Sequence, residues 1–312
     1  MIIHKGYNGI SFRNPVITMG IFDGVHRGHI ATLNYLIEKA KQSNGESVVI
    51  TIIYPQTQDR HNFYLATQDE KYEALNKTGI DHLIEIEFDE EIKQMRAADF
   101  IKNILVDKIG AKHIISGYDQ YFGRGGEGNF ETLKQYSAAL RYTVEQLPEI
   151  KPEGNKVSSS VIRQLLLAGD LDSANSLLGY NYTVTGTVIE GKKNGRKIGF
   201  PTANILPDIT KLIPAGGGYA VEVNTKFGRF AGMLNIGVNP TINPTNKKTS
   251  IEVYIIDFDK DIYNETISVV FKKRLRSEKR FENTEQLALQ MQLDKEETIR
   301  CFENTTTYPL PA

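Results

Sequence analysis

Residues 16–22 (VITMGIF) form a nearly unbroken apolar run, as in a strand buried on both faces. Behind it, the apolar positions of residues 30–37 recur at helical spacing. Further strand-like runs follow at 48–53 (VVITII), 83–88 (LIEIEF) and 113–116 (HIIS), with helical spacing at 71–76 and 99–106. This alternation predicts a parallel, doubly wound α/β sheet, whose ligands bind beyond the carboxyl ends of the strands. Residues 147–156 (LPEIKPEGNK) read as a loop, and a helix is expected to start at Ser158-Ser159-Ser160. Near Tyr182 the pattern changes. Short alternating segments at 182–188, 219–223, 230–234, 251–256 and 266–271, separated by turn residues, predict a small antiparallel barrel. Residues 284–302 place Leu287, Met291 and Phe302 on one stripe of a closing helix. The expected domains are residues 1–181 and 182–312.

Composition narrows the class. A chain of 312 residues suggests two domains. Its 40% hydrophobic and 24% charged content is that of an ordinary globular protein. A net charge of −1 provides no global field for nucleic acid or an anionic membrane. No apolar run approaches the ~20 residues of a spanning helix, and residues 1–12 lack the core of a secretory signal. The single cysteine, Cys301, excludes an internal disulfide and a cysteine-rich metal site. The expectation is a cytoplasmic protein with small-molecule partners, no nucleic acid and no membrane; a homo-oligomer is compatible with the sequence.

The candidate chemistry begins directly after the first strand. His26-Arg27-Gly28-His29 is an HxGH box at a strand-to-helix turn. Backbone N–H groups at a helix start attract phosphate, and two imidazoles three residues apart can face one anion together. Gly24 and Gly28 allow close backbone approach. A surface position for the histidines is the plainer reading of the pattern alone. Ser159 and Ser160 read first as helix caps, but Arg163, one turn on, shares their face and makes a second phosphate cluster. In the second half, residues 191–204 (GKKNGRKIGFPTAN) form a cationic glycine-rich loop or a solvated hairpin. Thr202 and Asn204 after it offer neutral oxygens suited to Mg²⁺ between phosphates.

These motifs together resemble the bacterial bifunctional riboflavin kinase/FAD synthetase family over nearly the whole chain. Residues 20–29 (GIFDGVHRGH) are similar to its G-x-F-D-G-x-H-x-G-H box, 117–123 (GYDQYFG) to G-x-D-F-x-F-G, and 158–163 (SSSVIR) to S-S-T-x-x-R. Residues 191–204 resemble G-x-x-x-G-R-x-x-G-F-P-T-A-N, 214–220 (PAGGGYA) resemble P-x-x-G-V-Y-A, and 235–241 (NIGVNPT) resemble N-I-G-x-x-P-T. Glu252 matches the catalytic glutamate, and 275–281 (LRSEKRF) resemble L-R-x-E-x-x-F.

The resemblance implies a Rossmann-like HxGH FMN adenylyltransferase domain, followed by a flavokinase barrel with a C-terminal helix. It implies phosphorylation of riboflavin to FMN and adenylylation of FMN to FAD, with ATP and Mg²⁺. Implied roles are Glu252 as the kinase base, and His26, His29 and Arg163 as the groups that stabilise charge in adenylyl transfer. Gly20, Phe22, Asp23, Gly28, Asp119, Ser159 and Ser160 would bind nucleotide in the first module. Gly191, Gly195, Arg196, Gly199 and Pro201 would do so in the second. Thr202 and Asn204 would hold the metal, and Arg276, Glu278 and Phe281 the flavin.

Three positions depart from the pattern. Gln120 stands for phenylalanine, Gly218 for valine, and residues 52–56 (IIYPQ) for F-D-P-H-P. The last change leaves alternatives open: a chain with one live module, the flavokinase before the FAD synthetase, or a flavin-binding regulator without catalysis. Another HxGH nucleotidyltransferase, acting on pantetheine phosphate or glycerol phosphate, is disfavoured by the second half.

Overall fold

The computed structural model describes residues 1–54, 63–149, 156–191, 194–239 and 248–303. The first region is a six-stranded parallel sheet in the order β1-β4-β3-β2-β5-β6. Its strands are β1 (Ile2–Lys5), β2 (Val16–Met19), β3 (Ser47–Ile53), β4 (His82–Glu87), β5 (His113–Ser116) and β6 (Thr143–Gln146). Helices α1 (Arg27–Gln42), α2 (Gln68–Thr78), α3 (Glu90–Gln94), α4 (Ala97–Asp99) and α5 (Phe130–Leu140) connect them. Side chains alternate across β3. Val48 and Ile50 join a core with Phe100, Ile104 and Leu133, whereas Val49 joins Leu33, Leu36 and Leu75 of α1 and α2 on the other face. Each of these fully buried side chains contributes about 1.5–3 kcal/mol.

The chain runs from β2 outward through β3 to β4, then returns to place β5 on the other side of β2. The carboxyl ends of β2 and β5 therefore flank the switch point, where α/β sheets bind ligands. The HxGH turn follows β2, and residues 117–128 follow β5.

Several elements differ from the sequence expectation. The run at 16–22 ends as a strand at Met19, and residues 20–26 turn into α1. β1 and β6 are not apparent in the sequence pattern, because both are four-residue edge strands with little apolar content facing the core. The helix expected at 99–106 contains a wide turn at Phe100–Val106, with Asp107 N–H donating to the Lys102 carbonyl at 2.9 Å. That wider turn buries Phe100, Ile101, Ile104 and Leu105 together.

Helices α6 (Ser159–Ala168) and α7 (Leu171–Leu178) precede a closed antiparallel barrel, ordered β10-β11-β8-β7-β12-β9. Its strands are β7 (Thr183–Ile189), β8 (Ala203–Pro207), β9 (Gly217–Thr225), β10 (Gly228–Asn239), β11 (Lys248–Ile255) and β12 (Thr266–Ser277). β7 shows strict alternation, with Val184, Gly186 and Val188 inward. β8 escapes sequence reading because it grows out of the turn-like PTAN stretch. Helix α8 (Thr284–Glu303) closes the fold, and Asp294, Thr298 and Phe302 are its buried positions. Leu287 and Met291 of the expected stripe are half-buried.

By internal contacts the chain divides into two units, Met1–Ser159 and Ser160–Ala312. Nearly all of α6, and all of α7, belong with the barrel's unit. Among the described residues, no helix is long and apolar enough to cross a membrane.

Candidate active sites

The turn between β2 and α1 is held in a costly backbone conformation. Phe22 (φ 53°) and Val25 (φ 35°) lie at positive φ on either side of Gly24 (φ 77°). For non-glycine residues such geometry costs about 1–3 kcal/mol each. The Phe22 and Val25 side chains are 2% and 1% exposed, so burial offsets the strain. Gly20 packs under the Phe22 ring, where a Cβ would stand 3.0 Å from it. Asp23 is buried, its Oδ1 accepting the N–H groups of Leu65 at 2.8 Å and Ala66 at 3.2 Å. Ser159 Oγ donates to the Asp23 carbonyl at 2.9 Å.

This turn delivers the two histidines. His26 is the N-cap of α1, and its Nδ1 accepts the His29 N–H at 3.3 Å. With Nδ1 accepting, the neutral ring carries its proton on Nε2. The two imidazoles stack at 3.7 Å with 13° between planes, and the Phe22 ring lies 5.0 Å from His29. A Cβ at Gly28 would stand 3.2 Å from the His26 ring, so glycine permits the close approach.

Burial lowers the His26 pKa to about 4. Burial, with His26 alongside, holds His29 well below its ordinary value. Both rings are therefore neutral at pH 7 and act as hydrogen-bond donors rather than cations. His29 Nδ1 is buried with no hydrogen-bond partner among the described residues, and a buried polar atom of this kind suits a ligand. Asp119 is exposed beyond β5, and its charge opposes the lowering at His26. Ser160 and Arg163 lie on α6 in the second unit.

The Gln120 departure has a structural role that sequence reading missed. Its Nε2 donates to the Met19 carbonyl at 2.9 Å, and its Oε1 accepts the Gly117 N–H at 3.0 Å. It thus ties the ends of β2 and β5 together. Thr51 adds a bond to the Ile21 carbonyl at 3.2 Å. Tyr54, from the altered 52–56 segment, packs 4.8 Å from Phe88; Pro55 and Gln56 lie outside the described residues.

The second site is built on barrel strands. Glu252 on β11 pairs in register with Asn204 on β8. The Thr202 hydroxyl donates to Glu252 Oε2 at 3.2 Å. A Cβ at Gly191 would collide with the Asn204 amide, so the glycine is required for that approach. Thr202, Asn204 and Glu252 thus converge as oxygen donors. Gly195, in the short helical turn Asn194–Ile198, accepts the Phe200 N–H at 2.9 Å. Gly199 (φ 82°) supplies the left-handed residue that ends the turn. Arg196, Pro201 and Thr202 line a cleft of ≈ 270 Å³ with Phe258, Asp261 and Tyr263. Arg196 reaches the Tyr263 hydroxyl at 3.5 Å. Lys192 and Lys193 lie outside the described residues.

Of the expected flavin residues, Arg276 lies at the end of β12 and Glu278 and Phe281 follow it. Arg276 pairs with Asp294 of α8 at 2.9 Å and stands 5.9 Å from the Phe281 ring. A Cβ at Gly218 would lie 3.2 Å from Arg276; glycine in place of valine gives that side chain its room. The Glu278 carboxylate lies beside Gly216 and Gly237, 3.1 and 3.7 Å from where their Cβ atoms would stand. Pro240 and Thr241 of the N-I-G-x-x-P-T segment lie outside the described residues.

Comparison with known proteins agrees with this two-part arrangement. The family model described as FAD synthetase matches residues 10–161, and the one described as riboflavin kinase matches 178–302. A bifunctional riboflavin kinase/FMN adenylyltransferase from Listeria monocytogenes is 36% identical over 303 residues, covering 93% of each chain. Its counterpart from Escherichia coli is 34% identical over 297 residues, again covering 93% of each. A crystal structure described as a macrolide-efflux protein from Streptococcus pneumoniae superposes with TM-score 0.86 at 29% identity, covering 95% of this chain and 98% of that one. With both family models matching in order and these relatives aligning along nearly its full length, the chain belongs to the bifunctional riboflavin kinase/FMN adenylyltransferase family.

Proposed function

We propose that each site of this chain performs one of two consecutive transfers. The barrel phosphorylates riboflavin to FMN with ATP, and the α/β unit adenylylates FMN to FAD, releasing pyrophosphate. The observation that carries the reading is the convergence of Thr202, Asn204 and Glu252 in one unit, alongside a stacked pair of neutral imidazoles at a helix start in the other. The functional boundary is placed at 181/182, and the enzyme is assigned to the cytoplasm.

In the kinase step, Glu252 accepts the proton of the riboflavin 5′-hydroxyl as that oxygen attacks the γ-phosphate. Such a base contributes ~10²–10⁴-fold. The donor set of hydroxyl, amide and carboxylate oxygens fits a hard cation, and Thr202 and Asn204 would hold Mg²⁺. When bound, the ion neutralises charge on the phosphates. Gly191 and the turn from Gly195 to Gly199, with Arg196 and Pro201, would bind the phosphates beside this cleft. Arg276, Glu278 and Phe281 seat the flavin.

In the adenylyl step, the FMN phosphate attacks the α-phosphate of ATP. His26 and His29 donate N–H groups to the charge that develops. The backbone from Gly20 to Gly28, with Phe22 and Asp23, forms the cradle at the α1 N-terminus. Asp119 and Ser159 complete the nucleotide contacts that this unit offers.

Chromatography of products tests both steps. Riboflavin with ATP and Mg²⁺ should yield FMN and then FAD, and FMN supplied directly should yield FAD. FMN without FAD, under both aerobic and reducing conditions, would show the first unit to be silent.

A further inference from the structure

Arg274 and Arg276 stand two residues apart on β12 and would share one face of a regular strand. The ladder with β9 shifts between them: Arg274 pairs with Tyr219, and Arg276 with Gly218. Tyr219 and Gly218 are neighbours on β9 and face opposite ways, so Leu275 is the extra residue of a bulge. The bulge sends the two arginines to opposite faces. Arg274 donates to the Gly216 carbonyl at 3.0 Å. Arg276 turns to α8 instead.

There it meets Asp294, a residue outside every motif of the sequence. The Asp294 side chain is 9% exposed and that of Arg276 17%. Asp294 Oδ2 accepts from Arg276 Nε at 2.9 Å, and Oδ1 lies 3.3 Å from the same nitrogen. Gln290, one turn earlier on α8, donates to Asp294 Oδ1 at 2.9 Å and holds the carboxylate in turn. A carboxylate buried this deeply is rare unless paired. Gly218 completes the arrangement. A Cβ there would stand 3.2 Å from the Arg276 side chain, and the two further carbons of a valine would crowd the guanidinium out of line with Asp294.

The guanidinium is thus held by one edge. Its Nη1 reaches the Ser277 carbonyl only at 3.5 Å, and among the described residues nothing accepts from Nη2. The Phe281 ring lies 5.9 Å away. The remaining N–H groups are open to an acceptor oxygen, and riboflavin carries several in its ring carbonyls and ribityl hydroxyls.

We propose that Asp294 is a positioning residue for riboflavin phosphorylation: it fixes the Arg276 guanidinium for the flavin, and Gly218 supplies the room that this pairing needs. This rests on the assignment of Arg276 to the flavin. Asp294 touches neither the flavin nor the reacting atoms; it acts through Arg276. A guanidinium held in place beforehand loses less freedom when substrate binds. The pair should therefore act on affinity for riboflavin and not on the transfer step.

The test measures KM and kcat for riboflavin phosphorylation, KM for ATP, and FAD formation from FMN in the same preparations. The proteins are the wild type, Asp294→Ala, Arg276→Met, their double variant and Gly218→Val. Asp294→Ala should raise KM for riboflavin about tenfold to hundredfold, the range of one charge-assisted hydrogen bond. Its kcat and KM for ATP should stay near the wild-type values, as for a loss of uniform binding, and FAD formation from FMN should not change. In the Arg276→Met background, Asp294→Ala should cost little more, because coupled residues are non-additive. Gly218→Val should raise KM for riboflavin in the same sense. A wild-type KM for riboflavin in Asp294→Ala, with or without lower thermal stability, would show a helix tether only and overturn the proposal. A fall in kcat in place of the rise in KM, or full additivity with Arg276→Met, would overturn it as well. If Asp294→Ala does not fold, Gly218→Val decides: a raised KM for riboflavin supports the proposal and a wild-type KM overturns it. A wild type that forms no FMN, or an Arg276→Met with the wild-type KM for riboflavin, refutes the functional assignment and this proposal together. A raised KM in Arg276→Met beside an unaffected Asp294→Ala refutes only the proposal.

Discussion

The two sites reach phosphate chemistry by opposite means. In the α/β unit, one short turn carries most of the site: it is strained, buried and tied down at several points, and its histidines are neutral. In the barrel, Thr202 and Glu252 lie far apart in sequence and meet only because β8 and β11 pair. The first site depends on a local backbone conformation and the second on strand register. Damage to the first should therefore arise from loss of anchoring contacts as well as of the histidines. Damage to the second should follow the oxygen atoms themselves.

The largest effect should come from the barrel. Glu252→Gln removes the base and should lower riboflavin phosphorylation ~10²–10⁴-fold, leaving FAD formation from added FMN intact. An unchanged kinase rate would show that another group takes the proton. Next, His29→Ala removes a donor to developing charge and should slow FAD formation ~10²–10³-fold, with the kinase spared. Equal loss of both products would point to a folding defect instead.

A smaller effect concerns acid stability. The unfolded chain protonates His26 near 6.5, the folded one only near about 4. Stability present above pH 6.5 is therefore lost as pH falls towards 4, by about 3 kcal/mol for this group. Chemical denaturation of the α/β unit at stepped pH should show this slope, and His26→Gln should flatten it. Smallest, Gln120→Ala removes the bridge between Met19 and Gly117 and should cost about 1–3 kcal/mol. It should loosen the adenylyl site while leaving the kinase unchanged, with both read as rates in one sample.

The same contrast decides what can be read from the sequence. The HxGH turn is contiguous, so residues 20–29 reveal both its context and its chemistry. The parallel sheet is legible through its buried apolar runs, whereas the four-residue edge strands β1 and β6 bury too little to leave a pattern. Glu252 alone looks like any strand glutamate; its place beside Thr202 emerges only from barrel register. Gln120 is invisible for another reason. Bonding to main-chain groups at long range, as from Gln120 to Met19, leaves no local spacing to detect. Where Gln120 and Gly218 depart from the family pattern, each fits its own surroundings: an amide that bonds two backbone groups, and room for Arg276.

The most direct test of two sites with one step each is a mixing experiment. Glu252→Gln and His29→Ala are incubated separately and together with riboflavin, ATP and Mg²⁺, and FAD is measured by chromatography. Each variant alone should form FAD at most about a hundredth as fast as the wild type, and the mixture should form it far faster, because FMN released by His29→Ala feeds Glu252→Gln. FAD from either variant alone at the rate of the mixture, or none from a mixture in which His29→Ala still makes FMN, would contradict the account.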